Sequence, residues 1–139
     1  MISLVLATQN LHKVREFRAI FRDPRIVRVL GDQPFDVLSL RDFAEYEAPE
    51  ETGKTFRENA ELKAKAAAQE LGKYVLADDS GLVIPALGGA PGVLSARFAG
   101  PGASDRDCRK ALLAAMSGLH GEQRYGYYEC WLTLTTPEG

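Results

Sequence analysis

The chain has 139 residues, of which 45% are apolar and 26% charged, enough for one domain with a real core and ordinary for a soluble globular protein. A net charge of −2 argues against a protein built to coat nucleic acid, and no apolar run approaches membrane-spanning length. Cys108 and Cys130 show neither metal spacing nor a disulfide framework, and MISLVLATQN lacks the basic start and cleavage site of a signal peptide, so a reduced, cytoplasmic setting is the expectation.

In chain order, Ile2 to Thr8 reads as a buried strand: short, apolar and partly β-branched. Asn10 can cap a helix over Leu11 to Phe21. The segment DPRIVRVLGDQPFDVLSL is expected to hold one or two short strands, and the acidic RDFAEYEAPEETG to be loop. Thr55 and Glu58 form a T-x-x-E capping box that opens a helix ending at Leu71, with Gly72 just past its last turn. YVLA and GLVIPAL read as two further strands. GGAPGVLSARFAGPGAS is a long Gly/Pro loop, Ser104 caps a helix through Met116, and RYGYYECWLTLTT is an aromatic and β-branched strand. No repeat and no second domain is visible, so residues 1–139 are expected to form a single α/β or α+β domain, with helices on the faces of a sheet.

Five stretches bear on chemistry. In LADDSGLVI, an apolar run meets two adjacent aspartates, and a charge in a core needs a partner. Strand alternation sends Asp78 and Asp79 to opposite faces, so they do not form an acid–base pair on one atom. One carboxylate at the end of a buried strand suits a hard cation such as Mg²⁺, while D-S-G is also good turn chemistry. TQNLHK lies where a strand meets a helix N-terminus, a natural anion site. Thr8 and Asn10 add donors there, and Lys13 sits in a first turn that disfavours it unless an anion intervenes; the alternative is a plain cap and a solvated lysine.

On the third helix, with Phe56 at zero and about 100° per residue, Ala60 falls at about 40°, Ala67 at about 20° and Leu71 at about 60°. Lys63, at about −20°, falls inside that apolar stripe, with Asn59 at its edge. It either reaches past the core to an anion or snorkels to water. APEETGKT imitates a P-loop, but alanine replaces the first glycine, and Glu50 and Glu51 would repel phosphate. Those glutamates make better metal ligands. Arg97, in the Gly/Pro loop, can meet an anion or another chain. His12 and His120 stand apart, so there is no zinc motif, and Ser80 has no histidine partner for a triad. Two lysines and a strand–helix junction for phosphates, with Glu51 and Asp79 for Mg²⁺, describe a hydrolase or transferase acting on a phosphorylated small molecule.

LATQNLHKVREF, EETGKTFRENAELKAKAAA, ADDSGLVIPALGGAPGVLSARFAG and YYECWLTLTTPEG resemble, in order, successive blocks of the inosine triphosphate pyrophosphatase family, the XTP/dITP diphosphatases. The resemblance implies an elongated, twisted mixed sheet flanked by helices, with two lobes and a central cleft. It also implies a homodimer that hydrolyses ITP, dITP or XTP to the monophosphate and pyrophosphate with Mg²⁺. Carried over, Thr8, Asn10, Lys13 and Lys63 would bind the triphosphate and Ser80 the substrate. Glu51 and Asp79 would hold the metal, Asp79 would also be the general base, and Asp78 would support the turn. The family's G-F-G-Y-D-P and S-H-R blocks, which recognise the base, do not occur in this sequence, and ECWLTLTTPEG lacks a return strand. An open apolar edge is therefore expected. Two other readings stay in play: a catalytically impaired nucleotide-binding domain, and a house-cleaning pyrophosphatase with another base preference.

Overall fold

A computed structural model describes residues 1–31 and 35–139. Four strands, β1 (Ile2–Leu6), β2 (Phe35–Ser39), β3 (Tyr74–Val83) and β4 (Tyr127–Thr135), form a sheet of order β2-β1-β3-β4. β1 is parallel to both β2 and β3, with Val5 registered on Leu38 and Val75. The helices are α1 (Leu11–Phe21), α2 (Pro24–Leu30), α3 (Phe56–Leu71) and α4 (Asp105–Ala115), so the architecture is mixed α/β. No helix among the described residues is long and apolar enough to cross a membrane. The chain divides into two compact units.

The first unit is Met1–Glu51, Ala60–Asp78 and Leu132–Gly139. Its core joins Val5, Ala7, Val75 and Ala77 of the sheet region to Ala64, Ala67 and Ala68 of α3, with Leu40 and Tyr46. Alanines recur on this helix face and are fully buried, which lets the α3 backbone approach the strands closely. Thr135 Oγ1 lies 3.2 Å from the carbonyl of Ala64 and 3.4 Å from that of Val75, so the end of β4 is tied to both helix and sheet. α1 has the expected bounds, and Asn10 Oδ1 accepts from the His12 N–H at 2.9 Å.

Two expectations change here. The segment after Phe21, expected to hold one or two short strands, holds one among the described residues, Phe35–Ser39, and Pro24–Leu30 before it is an unexpected helix. Residues 32–34 of that segment lie outside the described residues. The helix has its own start and stop: Asp23 accepts from the Arg25 N–H, Pro24 opens the first turn, and Gly31 ends it at φ 69°. Likewise, YVLA and GLVIPAL are not two strands split by a D-S-G turn. Tyr74–Val83 is one strand, and Pro85–Leu87 is a 3₁₀ turn. The aspartates therefore lie inside a strand, and both are buried.

The second unit is Thr52–Asn59 and Asp79–Trp131. Asn59, fully buried, clamps Gly53 from both sides: its Oδ1 accepts from the Gly53 N–H at 2.7 Å, and its Nδ2 donates to the Gly53 carbonyl at 3.4 Å. A Cβ on Gly53 would lie 2.5 Å from Asn59 Oδ1, so the clamp requires glycine. The capping box is present with a shift: Thr55 Oγ1 accepts from the Glu58 N–H, while Glu58 reaches back to the Lys54 N–H. The G-K-T that imitates a P-loop is thus a helix cap. Part of the Gly/Pro loop is ordered as a 3₁₀ segment, Gly92–Arg97, and Ser95 ties it to β3. Ser95 Oγ accepts from the Leu82 N–H at 3.0 Å and donates to the Gly92 carbonyl at 2.7 Å. α4 is capped by Ser104 as expected, with Met116 as its C-terminal cap. Tyr128 is 80% exposed in β4 of this unit; Leu132 and Leu134, in the part of β4 assigned to the first unit, are 57% and 65% exposed. β4 is also last in the sheet order, as the open apolar edge anticipated.

Candidate active site

Two charges look out of place in the sequence pattern: an aspartate in an apolar strand and a lysine in the first turn of a helix. They answer each other. Lys13 Nζ lies 2.7 Å from Asp78 Oδ2, whose side chain is only 9% exposed. Asp78 is thus a counter-ion within β3 and not the support of a turn. Its burial is tolerable because the ammonium meets it at hydrogen-bond distance.

Lys63 resolves in the same way. It neither snorkels nor stands alone on the apolar stripe. Its Nζ donates to the backbone carbonyl of Asp78 at 2.5 Å and lies 3.2 Å from Glu51 Oε1, with the side chain 14% exposed. The first unit therefore brings Lys13, Glu51, Lys63 and Asp78 into one chain of ion pairs and hydrogen bonds, built from α1, the acidic loop, α3 and β3.

At the end of β1, Thr8 Oγ1 accepts from the Asn10 N–H at 3.1 Å, and Asn10 Oδ1 caps α1. Both bonds use acceptor oxygens and leave the Thr8 hydroxyl hydrogen and the Asn10 amide hydrogens for other partners. Thr8, Asn10 and Lys13 thus sit on the one strand–helix junction that the sequence pointed to.

Asp79 and Ser80 belong to the second unit and continue β3. Asp79 is 8% exposed, and its side chain points to the face opposite Asp78 by strand alternation. Its Oδ2 receives no hydrogen bond from the described residues, although the residue has other interactions. Ser80 is half-buried. Among the described residues no group of three or more His, Cys, Asp or Glu side chains is placed to hold a metal. The candidate ligands Glu51 and Asp79 would offer a cation two carboxylates. That donor set is all oxygen, and it suits Mg²⁺, which commonly combines one or two carboxylates with substrate phosphates and water.

The sequence reading missed three features: the pairing of Lys13 with Asp78, the Asn59–Gly53 clamp, and the approach of the Arg57 guanidinium to Trp131, 6.0 Å from the ring centroid. The first had a signal, since two anomalous charges in one domain are candidates for each other. The other two join positions 6 and 74 residues apart, and nothing local marks them.

The family model described as the Ham1 family matches residues 4–139. A dITP/XTP pyrophosphatase of Protochlamydia amoebophila is 47% identical over 139 residues, covering 99% of this chain and 66% of that protein. A dITP/XTP pyrophosphatase of Geobacter sulfurreducens is 45% identical, covering 100% of this chain and 65% of its own length. The structure of a HAM1 protein from Coxiella burnetii superposes with a TM-score of 0.83 at 37% identity, covering 99% of this chain and 65% of that one. The chain thus spans just under two thirds of the length of the curated relatives it matches.

Proposed function

The chain belongs to the Ham1 family, and from that membership and the geometry of its charged cluster we propose that it hydrolyses non-standard purine nucleoside triphosphates, ITP, dITP or XTP, to the monophosphate and pyrophosphate. The observation that carries the reading is the cluster itself: Lys63 bridges the Glu51 carboxylate and the Asp78 carbonyl, while Lys13 holds the Asp78 carboxylate. The relatives' shared name as dITP/XTP pyrophosphatases supports the substrate class.

In this reading Thr8 and Asn10 donate hydrogen bonds to phosphate oxygens, and Lys13 and Lys63 bring positive charge to the triphosphate, where charge grows in the transition state. Ser80 lies against the substrate. Glu51 and Asp79 would hold Mg²⁺, which when bound offsets phosphate charge. The Asp79 carboxylate takes a proton from the attacking water. The water oxygen bonds to the α-phosphorus, the bond from that phosphorus to the bridging oxygen breaks, and pyrophosphate leaves with the electron pair. A homodimer and a cytoplasmic setting belong to the same proposal, with Mg²⁺ as the only cofactor.

The test is product analysis after incubation with ITP and Mg²⁺, beside Asp79→Asn. The expected outcome is IMP plus pyrophosphate, with release falling by at least about a hundredfold in the variant, the scale of losing a general base. Orthophosphate as the first product, or full activity in Asp79→Asn, would overturn the assignment.

A further inference from the structure

We propose that Asn59 is a positioning residue for Glu51: by gripping the Gly53 peptide it sets how the Glu51 carboxylate, two residues earlier, is presented to a divalent cation. The role rests on the reading of Glu51 as a metal ligand given above. Asn59 touches the loop and acts on the cation only through Glu51.

A fully buried amide needs hydrogen-bond partners, and Asn59 takes both an acceptor and a donor bond from one peptide group. Two bonds to the N–H and the carbonyl of the same residue fix the orientation of that residue as well as its distance. Gly53 is not among the glycines with positive φ, so closeness, and not backbone conformation, demands glycine there. An added Cβ would lie 2.5 Å from Asn59 Oδ1 and 2.8 Å from Glu58 Cβ. The next residue is held as well, since Glu58 Oε2 accepts from the Lys54 N–H at 2.7 Å. Lys63 stands one turn beyond Asn59 on α3, and its Nζ lies 3.2 Å from Glu51 Oε1. One helix thus grips this short stretch twice: the Gly53 peptide through Asn59 and the Glu51 carboxylate through Lys63. Releasing the Gly53 peptide returns backbone freedom to the residues before it. That freedom is lost again when a cation binds, which lowers affinity.

The native chain supplies the first test, by amide hydrogen exchange with and without saturating Mg²⁺. Coupling is reciprocal: if the closed clamp raises cation affinity about tenfold, bound Mg²⁺ raises the protection of the Gly53 amide by the same factor. The Gly72 amide, bonded to the Ala68 carbonyl at the far end of α3, should not change. Gly53 protection unmoved by Mg²⁺ overturns the role. The second test titrates Mn²⁺, an oxygen-liganded stand-in for Mg²⁺, followed by the electron paramagnetic resonance of the free ion. Asn59→Ala, or Gly53→Ala where the first variant does not fold, should raise the Mn²⁺ midpoint about tenfold or more, the scale of losing a group that orients a metal ligand. In the Glu51→Gln background Asn59→Ala should add no further shift. Thr55→Ala removes a helix cap and leaves the clamp, so it should leave the midpoint where it is. Additive shifts in the Glu51 and Asn59 pair, or an equal weakening by Thr55→Ala, would mean a general loss of order and overturn the role. A midpoint unmoved by Glu51→Gln rejects Glu51 as a ligand and takes this role with it. Weakening by Glu51→Gln but not by Asn59→Ala rejects the role of Asn59 alone.

Discussion

Tyr46 links the ionisation of one residue to folding. It is 6% exposed in the core of the first unit, and burial raises its hydroxyl pKa above the ordinary value of 10.0, with the nearby charge of Glu70 adding to the effect. The folded state thus favours the protonated phenol. The contribution is fully present below pH 10, the unfolded value, and is lost as pH rises through the higher folded value. Urea unfolding measured from neutral pH upward should show stability falling above about pH 10 in the native protein, with a shallower fall in Tyr46→Phe. An equal slope in both would reject the assignment. At this same scale Asp78 and Lys13 were legible as anomalies, because a buried charge is costly enough to demand a partner. Which partner each would take was not legible. Sixty-five residues separate them, and only the fold brings Nζ within 2.7 Å of Oδ2.

α3 shows what an element's sequence decides. Its capping box, its alanine face and the glycine after Leu71 were all readable, and Gly72 adopts φ 60°, where a side chain would be strained. Ala64 is fully buried in the same core cluster as Val5 and Val75, so Ala64→Leu has no space to occupy. It should destabilise by about 1–3 kcal/mol, read as a lower urea midpoint. Lys65→Ala, on the exposed side of the same helix, should stay within about 0.5 kcal/mol. α2 was misread because its apolar residues Ile26, Val27, Val29 and Leu30 are β-rich and alternate poorly, while the caps at Asp23, Pro24 and Gly31 hold the helix. β3 was misread in the opposite sense. Its D-S-G resembles a turn, but the pairing of Asp78 with Lys13 and the seating of Ser95 against Gly81 keep it extended. Local turn chemistry lost to tertiary contacts.

For the whole molecule, charge decides how the proposed reaction depends on metal. In the first unit Lys13 and Lys63 face Glu51 and Asp78, so two ammonium groups are matched by two carboxylates and no net positive charge is left over. A triphosphate does not approach that sum favourably without a divalent cation. Chelation should therefore abolish pyrophosphate release and weaken ITP binding in equilibrium dialysis, and added Mg²⁺ should restore both; ITP binding unchanged by chelator would reject the argument. By itself the sequence determined the order of most elements, the strand–helix junction at Thr8 to Lys13, and the family. Caps, periodicity and motif spacing are local, and local preference survives into the fold. Only the tertiary structure decided that Asp78 is a counter-ion within an unbroken strand, that Lys63 is shared between Glu51 and a strand carbonyl, and that Trp131 meets Arg57. Those outcomes depend on distances between residues far apart in the chain, which are set when side chains compete for the same buried space and the same few partners.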